Sequence, residues 1–164
     1  MIELLRVHLF AVRLLLLPDT VLTPATALEA SAAMHQAARG DVTPAILAAI
    51  TWRESRFTFT ARTNPRPGRW CCGVTQLAVS SPRACRQLAA RRFGVYPDTV
   101  AHLEIARGVC RRLKRGTGLE CALAGYGHGM AGARRGTTKN ARLVLRLARQ
   151  IDRGAPAPPR RPGS

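Results

Sequence analysis

Apolar residues recur at helical spacing along most of this chain, and polar breaks of recognisable chemistry separate the segments. Residues 1–17 are largely apolar, with Arg6 and Arg13 the basic residues among them. The uninterrupted apolar run, 14–17, is too short to span a membrane, and Pro18 ends it. Ala25-Thr26-Ala27 has the small-x-small form of a signal-peptidase site, although Arg13 interrupts the apolar region. Residues 1–27 are therefore expected to be a signal peptide, or else an apolar N-terminal helix packed on the domain.

The spacing predicts a helix over 28–39, with Gly40 just past its end. Thr43 is a good N-cap and Pro44 a favoured first residue for a second helix over 44–53. Residues 58–70 carry Asn64-Pro65 and Pro67-Gly68 with no clear period, which reads as a loop or short irregular hairpin. Ser81-Pro82 opens a third helix, which Gly94 stops. Asp98 is expected to cap a fourth, running to about residue 115 with Leu103, Ala106, Cys110 and Leu113 on one stripe. A short fifth helix over 119–126 would run into Gly127-His128-Gly129 and a basic loop. The last helix covers 138–152, with Leu143, Leu147 and Ile151 on one face. The tail over 153–164, rich in Pro and Arg, cannot form a core and is expected to be disordered. No repeat and no good strand pair is visible. The expected fold is mainly α with little or no sheet, in one domain over 28–152.

Composition adds two constraints. The 164 residues carry 26 basic and 9 acidic side chains, a formal net charge of +17. Such a balance favours a polyanionic partner: nucleic acid, an anionic cell envelope or an acidic membrane surface. The acidic inventory is short: Glu3, Asp19, Glu29, Asp41, Glu54, Asp98, Glu104, Glu120 and Asp152. Any carboxylate chemistry must draw on these. Cysteines stand at 71, 72, 85, 110 and 121, without the paired CxxC spacing of a zinc site. A disulfide-containing extracytoplasmic domain fits them better. Cys110 is expected to pair with Cys121, and Cys85 with Cys71 or Cys72, leaving one thiol over. Buried free thiols are the bland alternative.

The candidate chemistry centres on residues 54–77. Leu47, Ile50 and Glu54, or Ile46, Ile50 and Glu54, continue one apolar stripe. A carboxyl there is partly desolvated, which raises its pKa and keeps it protonated, as a general acid requires. Gly73-Val74-Thr75-Gln76-Leu77 follows, where Gly73 allows close backbone approach and the Gln76 amide can both donate and accept. Trp52, on a helix, is expected in the core. Trp70, in the loop, is the better candidate for ligand contact. No second carboxylate joins Glu54: Asp98 reads as a cap, Glu104 lies off the apolar stripe, and Glu120 suits a helix N-terminus.

The ordered set E-S-R-F at 54–57, G-V-T-Q-L at 73–77 and A-L-A-G-Y-G-H-G at 122–129 resembles the soluble lytic transglycosylase catalytic domain of the lysozyme-like superfamily. The resemblance covers about residues 28–152 and implies a lysozyme-like helical domain. It implies Glu54 as the catalytic acid, Ser55 as the serine that orients the site, Gln76 as a groove residue, and Tyr126 as a hydrogen-bonding partner near Glu54. It further implies cleavage of the MurNAc–GlcNAc bond of peptidoglycan without water, leaving a 1,6-anhydro-MurNAc end. Thr75 stands where the family has Met, and Gly127-His128 where it has Asn and a small residue; His128 is a candidate to substitute in substrate binding. Peptidoglycan glycan strands are the partner implied. Neither cofactor nor metal is expected, and a monomer in the periplasm, envelope, secreted fraction or a phage virion is.

Two other readings follow from the same residues. A lysozyme-type muramidase would hydrolyse the same bond, but ordinary glycoside hydrolysis uses two carboxyl groups. A degenerate glycan-binding module would keep the fold and lose the chemistry at the altered Tyr126 segment. The basic charge alone suggests nucleic acid, yet no DNA- or RNA-binding signature accompanies it. Arg91-Arg92, Arg111-Arg112 and Arg134-Arg135 read as solvated faces that would favour transient association with an anionic wall.

Overall fold

Hydroxyl caps set the helix starts. The computed structural model describes residues 2–154 apart from Pro67 and Thr117. In chain order the elements are α1 (Ile2–Leu15), α2 (Pro24–Ala37), α3 (Pro44–Ser55), β1 (Arg62–Arg66), β2 (Arg69–Cys72), β3 (Leu77–Val79), α4 (Pro82–Ala90), a 3-10 turn (Arg92–Val95), α5 (Tyr96–Arg112), α6 (Leu119–Arg135) and α7 (Lys139–Asp152). Thr23, Thr43, Ser81 and Thr138 each accept a hydrogen bond from the backbone N–H three residues on, at 3.3, 3.3, 3.2 and 3.1 Å. In α2, α3 and α4 a proline follows the cap, its fixed φ already helical. The fold is mainly α, as the spacing predicts.

Helix α3 is the centre of the core: every residue from Ala45 to Trp52 is buried. It ends abruptly because Arg56 and Phe57 both take left-handed backbone angles (φ 55° and 67°). That conformation is unfavourable for a large side chain, and the complete burial of Phe57 offsets it. Glu54 thus projects from the last turn of a helix whose middle, Ala45 to Trp52, is buried.

The N-terminal segment packs on this core. Phe10, Ala11, Leu14 and Leu17 are buried, Ser31 Oγ donates to the Val7 carbonyl (2.7 Å) and Trp52 Nε1 to the Pro18 carbonyl (2.8 Å). Helix α2 begins at Pro24 rather than at residue 28, because Thr23 and Thr26 cap each other's backbone N–H groups. The expected boundary between 27 and 28 therefore falls inside a helix. The tail from 155 lies outside the described residues.

Three further expectations are corrected. Residues 62–79 form a three-stranded antiparallel sheet, β1-β2-β3, where no good strand pair was expected. Its strands are short and poor in β-branched residues, so periodicity does not reveal them; the Cys72–Cys85 disulfide anchors the sheet to α4. Asp98 does not cap α5. The helix starts at Tyr96 directly from the 3-10 turn, and Asp98 pairs with Arg91 at 2.7 Å from the first turn. The basic segment after Tyr126 is helix, not loop. Helix α6 runs on to Arg135, bent at Gly129, whose φ 58° and ψ −144° lie where essentially only glycine goes.

That bend folds α6 back on itself. A Cβ on Gly132 would sit 1.9 Å from the Ala124 carbonyl oxygen, so only glycine fits. Gly125 is nearly as close to α5, with a Cβ there reaching Ala106 Cβ at 3.0 Å. The Cys110–Cys121 disulfide closes the same α5–α6 junction, and Cys71 is the thiol left free among the described cysteines. Both pairings agree with the spacing-based expectation, which the structure resolves in favour of Cys72.

Gly132→Ala is expected to cost about 3 kcal/mol in denaturant melts, because backbone and not a flexible side chain must give way. Gly108→Ala, in the middle of α5 with only an arginine tip near its Cβ, is expected to stabilise by about 0.5–1 kcal/mol. Equal effects at the two positions would contradict the folded-back geometry of α6.

Candidate active site

The end of α3, the sheet, α5 and α6 enclose a cavity of about 420 Å³. Glu54, Thr63, Gln76 and Gly127 line it on one side, with Arg69 and Cys71 from β2. His102, Ile105, Ala106 and Val109 of α5 face Met130 and Ala133 of α6 on the other, so the cavity has a polar end and an apolar arm.

The polar end is built around the turn over residues 73–76. Two of its backbone N–H groups are taken by carbonyls, Gly73 by Ala61 (3.0 Å) and Gln76 by Gly73 (3.1 Å). The carbonyls of Val74 and Thr75 need outside donors, since both residues are fully buried. Ser55 Oγ supplies one, 2.7 Å from the Val74 oxygen. Tyr126 OH supplies the other, 2.5 Å from the Thr75 oxygen. The residues flanking Glu54 in sequence and in space are therefore the ones that hold this turn.

Each predicted site residue can now be placed. Glu54, Gln76 and Tyr126 line one cavity. Gln76 adopts φ 54° and its amide is committed: Nε2 donates to the Ala61 (2.9 Å) and Gly73 (3.0 Å) carbonyls, while Oε1 accepts from Thr63 Oγ1 (3.1 Å). Ser55 stands behind the cavity, bonded to the turn. His128 is exposed and stands close enough for its charge to act on Glu54. Trp70 is not brought to the cavity. It lies in β2 rather than a loop, and the two-residue period that turns Arg69 and Cys71 inward turns Trp70 away, where its ring carries the Arg62 guanidinium at 5.3 Å.

Thr75, where the resemblance predicts Met, is fully buried with its hydroxyl 2.9 Å from Thr99 Oγ1, which reaches the Val95 carbonyl at 3.1 Å. One chain of hydroxyl donors satisfies the pair and ties the turn to α5.

Burial pushes the Glu54 carboxyl above the usual carboxylate range, and a hydrogen bond from Asn140 and the charges of Arg53 and His128 pull the other way. Burial likewise raises the Tyr126 phenol, so it remains a neutral donor. Glu54 is the sole carboxylate among the described residues lining the cavity. No cluster of His, Cys, Asp and Glu able to hold a metal occurs among the described residues.

Asn140 and His102 escape sequence reasoning. Asn140 stands in the first turn of α7, far along the chain from Glu54 and outside every motif. His102 is signalled only by adjacency to the Leu103 stripe. No family model matches this chain, and no curated protein or solved structure matches it either.

Two measurements check this geometry. Tyr126→Phe leaves the buried Thr75 carbonyl without a donor and should cost about 1–3 kcal/mol in urea unfolding; an unchanged midpoint would show that the bond does not hold the turn. For Glu54, the folded chain binds its proton more tightly than the unfolded one. The stability this contributes is complete below the ordinary carboxylate range and is lost as pH rises through the raised value. Permanently neutral Glu54→Gln should therefore gain stability relative to wild type between about pH 4 and neutrality. A pH-independent difference would mean that the carboxyl is not desolvated.

Proposed function

We propose that this protein is a peptidoglycan lytic transglycosylase with Glu54 as its single acid–base group. The observation that carries the reading is a half-buried carboxyl with a raised pKa, at the polar end of a cavity that holds no second carboxylate among its described lining residues. A carboxyl in that state is protonated more readily than an exposed one and can donate a proton to a leaving glycosidic oxygen.

The chemistry balances without water. Glu54 gives its proton to the glycosidic oxygen as the C1–O bond breaks. The N-acetyl group of the substrate stabilises the oxocarbenium-like centre in place of a second carboxylate. The Glu54 carboxylate then takes the proton of the C6 hydroxyl, and that oxygen bonds to C1, closing a 1,6-anhydro ring. Tyr126 and Ser55 hold the turn that faces the acid, and Thr63 and Gln76 line the groove.

Two disulfides are compatible with an oxidising environment, and no described helix is long and apolar enough to cross a membrane. An envelope, secreted or virion setting follows from the proposed substrate, and the net charge of +17 favours retention on an anionic wall.

Digestion of purified cell walls should release muropeptides with 1,6-anhydro ends by mass spectrometry. Glu54→Gln should lower the rate by at least about a hundredfold. Reducing ends alone would replace the lyase reading with a hydrolase. Absence of any Glu54-dependent release would leave a glycan-binding module.

A further inference from the structure

The departure at Gly127 and the contact from α7 are two halves of one arrangement. Thr138 caps α7 and fixes its first turn, from which half-buried Asn140 reaches back to the end of α3. Arg53 Nε lies 2.9 Å from Asn140 Oδ1. Arginine has only donors, so the Asn140 oxygen must face it, and the amide NH₂ is left to donate. Asn140 stands near enough to the Glu54 carboxyl that its hydrogen-bonding effect lowers that pKa against burial. It also passes over Gly127: a Cβ built there would stand 3.5 Å from Asn140 Nδ2, so any longer side chain would compete for the same space. Gly127 does not have a positive φ, so its backbone conformation does not require glycine.

We propose that Asn140 is a positioning residue for Glu54, its amide held by Arg53 and lodged in the space that Gly127 leaves open. The proposal rests on the acid role of Glu54 and assigns the residue that orients it. A donor on the carboxylate favours the charged form, so Asn140 moderates the effect of burial while fixing the direction in which the proton is presented. The other groups facing this carboxyl are Arg53 on its own helix and His128 and Tyr126 on α6, with Arg69 and Cys71 of β2 and His102 of α5 around the same cavity. Of these groups Arg53 is itself bonded to Asn140, and its charge remains on the protein when Asn140 is removed.

The test is a carboxyl-carbon NMR titration of Glu54, assigned by its loss in Glu54→Gln, alongside steady-state wall digestion. In Asn140→Ala the Glu54 midpoint should move to higher pH, and kcat should fall by about tenfold to a hundredfold with KM little changed. Asn140→Asp keeps the volume and the arginine partner, removes the donor and adds a negative charge, so it should move the midpoint the same way and further than Asn140→Ala. Gly127→Asn combined with Asn140→Ala restores an amide from α6 and should return the midpoint toward wild type. An unmoved midpoint in both single variants overturns the placement, whatever the enzyme does. A moved midpoint in a chain that cleaves no wall upholds the placement and overturns the lyase reading.

Discussion

The buried carbonyls of Val74 and Thr75 constrain this structure more than any single apolar contact. They sit in a buried turn, and each would cost about 1–3 kcal/mol if left without a donor. The donors come from two helices distant in sequence, Ser55 at the end of α3 and Tyr126 on α6. Satisfying the turn thus fixes the separation of those helices. Glu54, next to Ser55, is placed against the cavity as a consequence. The glycines of α6 serve the same end: Gly125 lets α6 approach α5, and Gly129 and Gly132 let it fold back beyond Tyr126.

The electrostatics of the site oppose the charge of the molecule. A chain of net charge +17 would be expected to favour ionised carboxylates. Glu54 nevertheless has a raised pKa, because burial outweighs the two nearby cations. Arg53 and His128 are exposed, and water and salt screen them, whereas desolvation acts on the carboxyl directly. Arg53 lowers the Glu54 pKa, but burial acts more strongly, so the carboxyl stays raised.

Much of the helical scaffold was legible because its signals are local. A hydroxyl cap followed by proline marks the start of α3 and α4, and the stripe through Ile50 places Glu54 at the edge of the core. The Cys110–Cys121 pairing was legible from short spacing between two helices. The elements that were misread depend on distant partners. The short strands pair through a sheet docked by Cys72–Cys85, and the helix after Tyr126 survives a glycine-rich run because Gly132 packs on Ala124. Trp70 was misplaced because its direction depends on a strand register that periodicity could not supply.

By itself the sequence determined most helix starts and pointed to Glu54 and Gln76, because capping, stripe and turn signals act over a few residues and survive without a partner. It determined that few carboxylates exist and that Glu54 continues an apolar face. Only the tertiary structure decided what surrounds that carboxyl. Asn140 arrives from α7 beside Gly127, and Tyr126 spends its hydroxyl on a backbone carbonyl. Those contacts join residues many turns apart, and their geometry is set by helix packing, which no local pattern encodes.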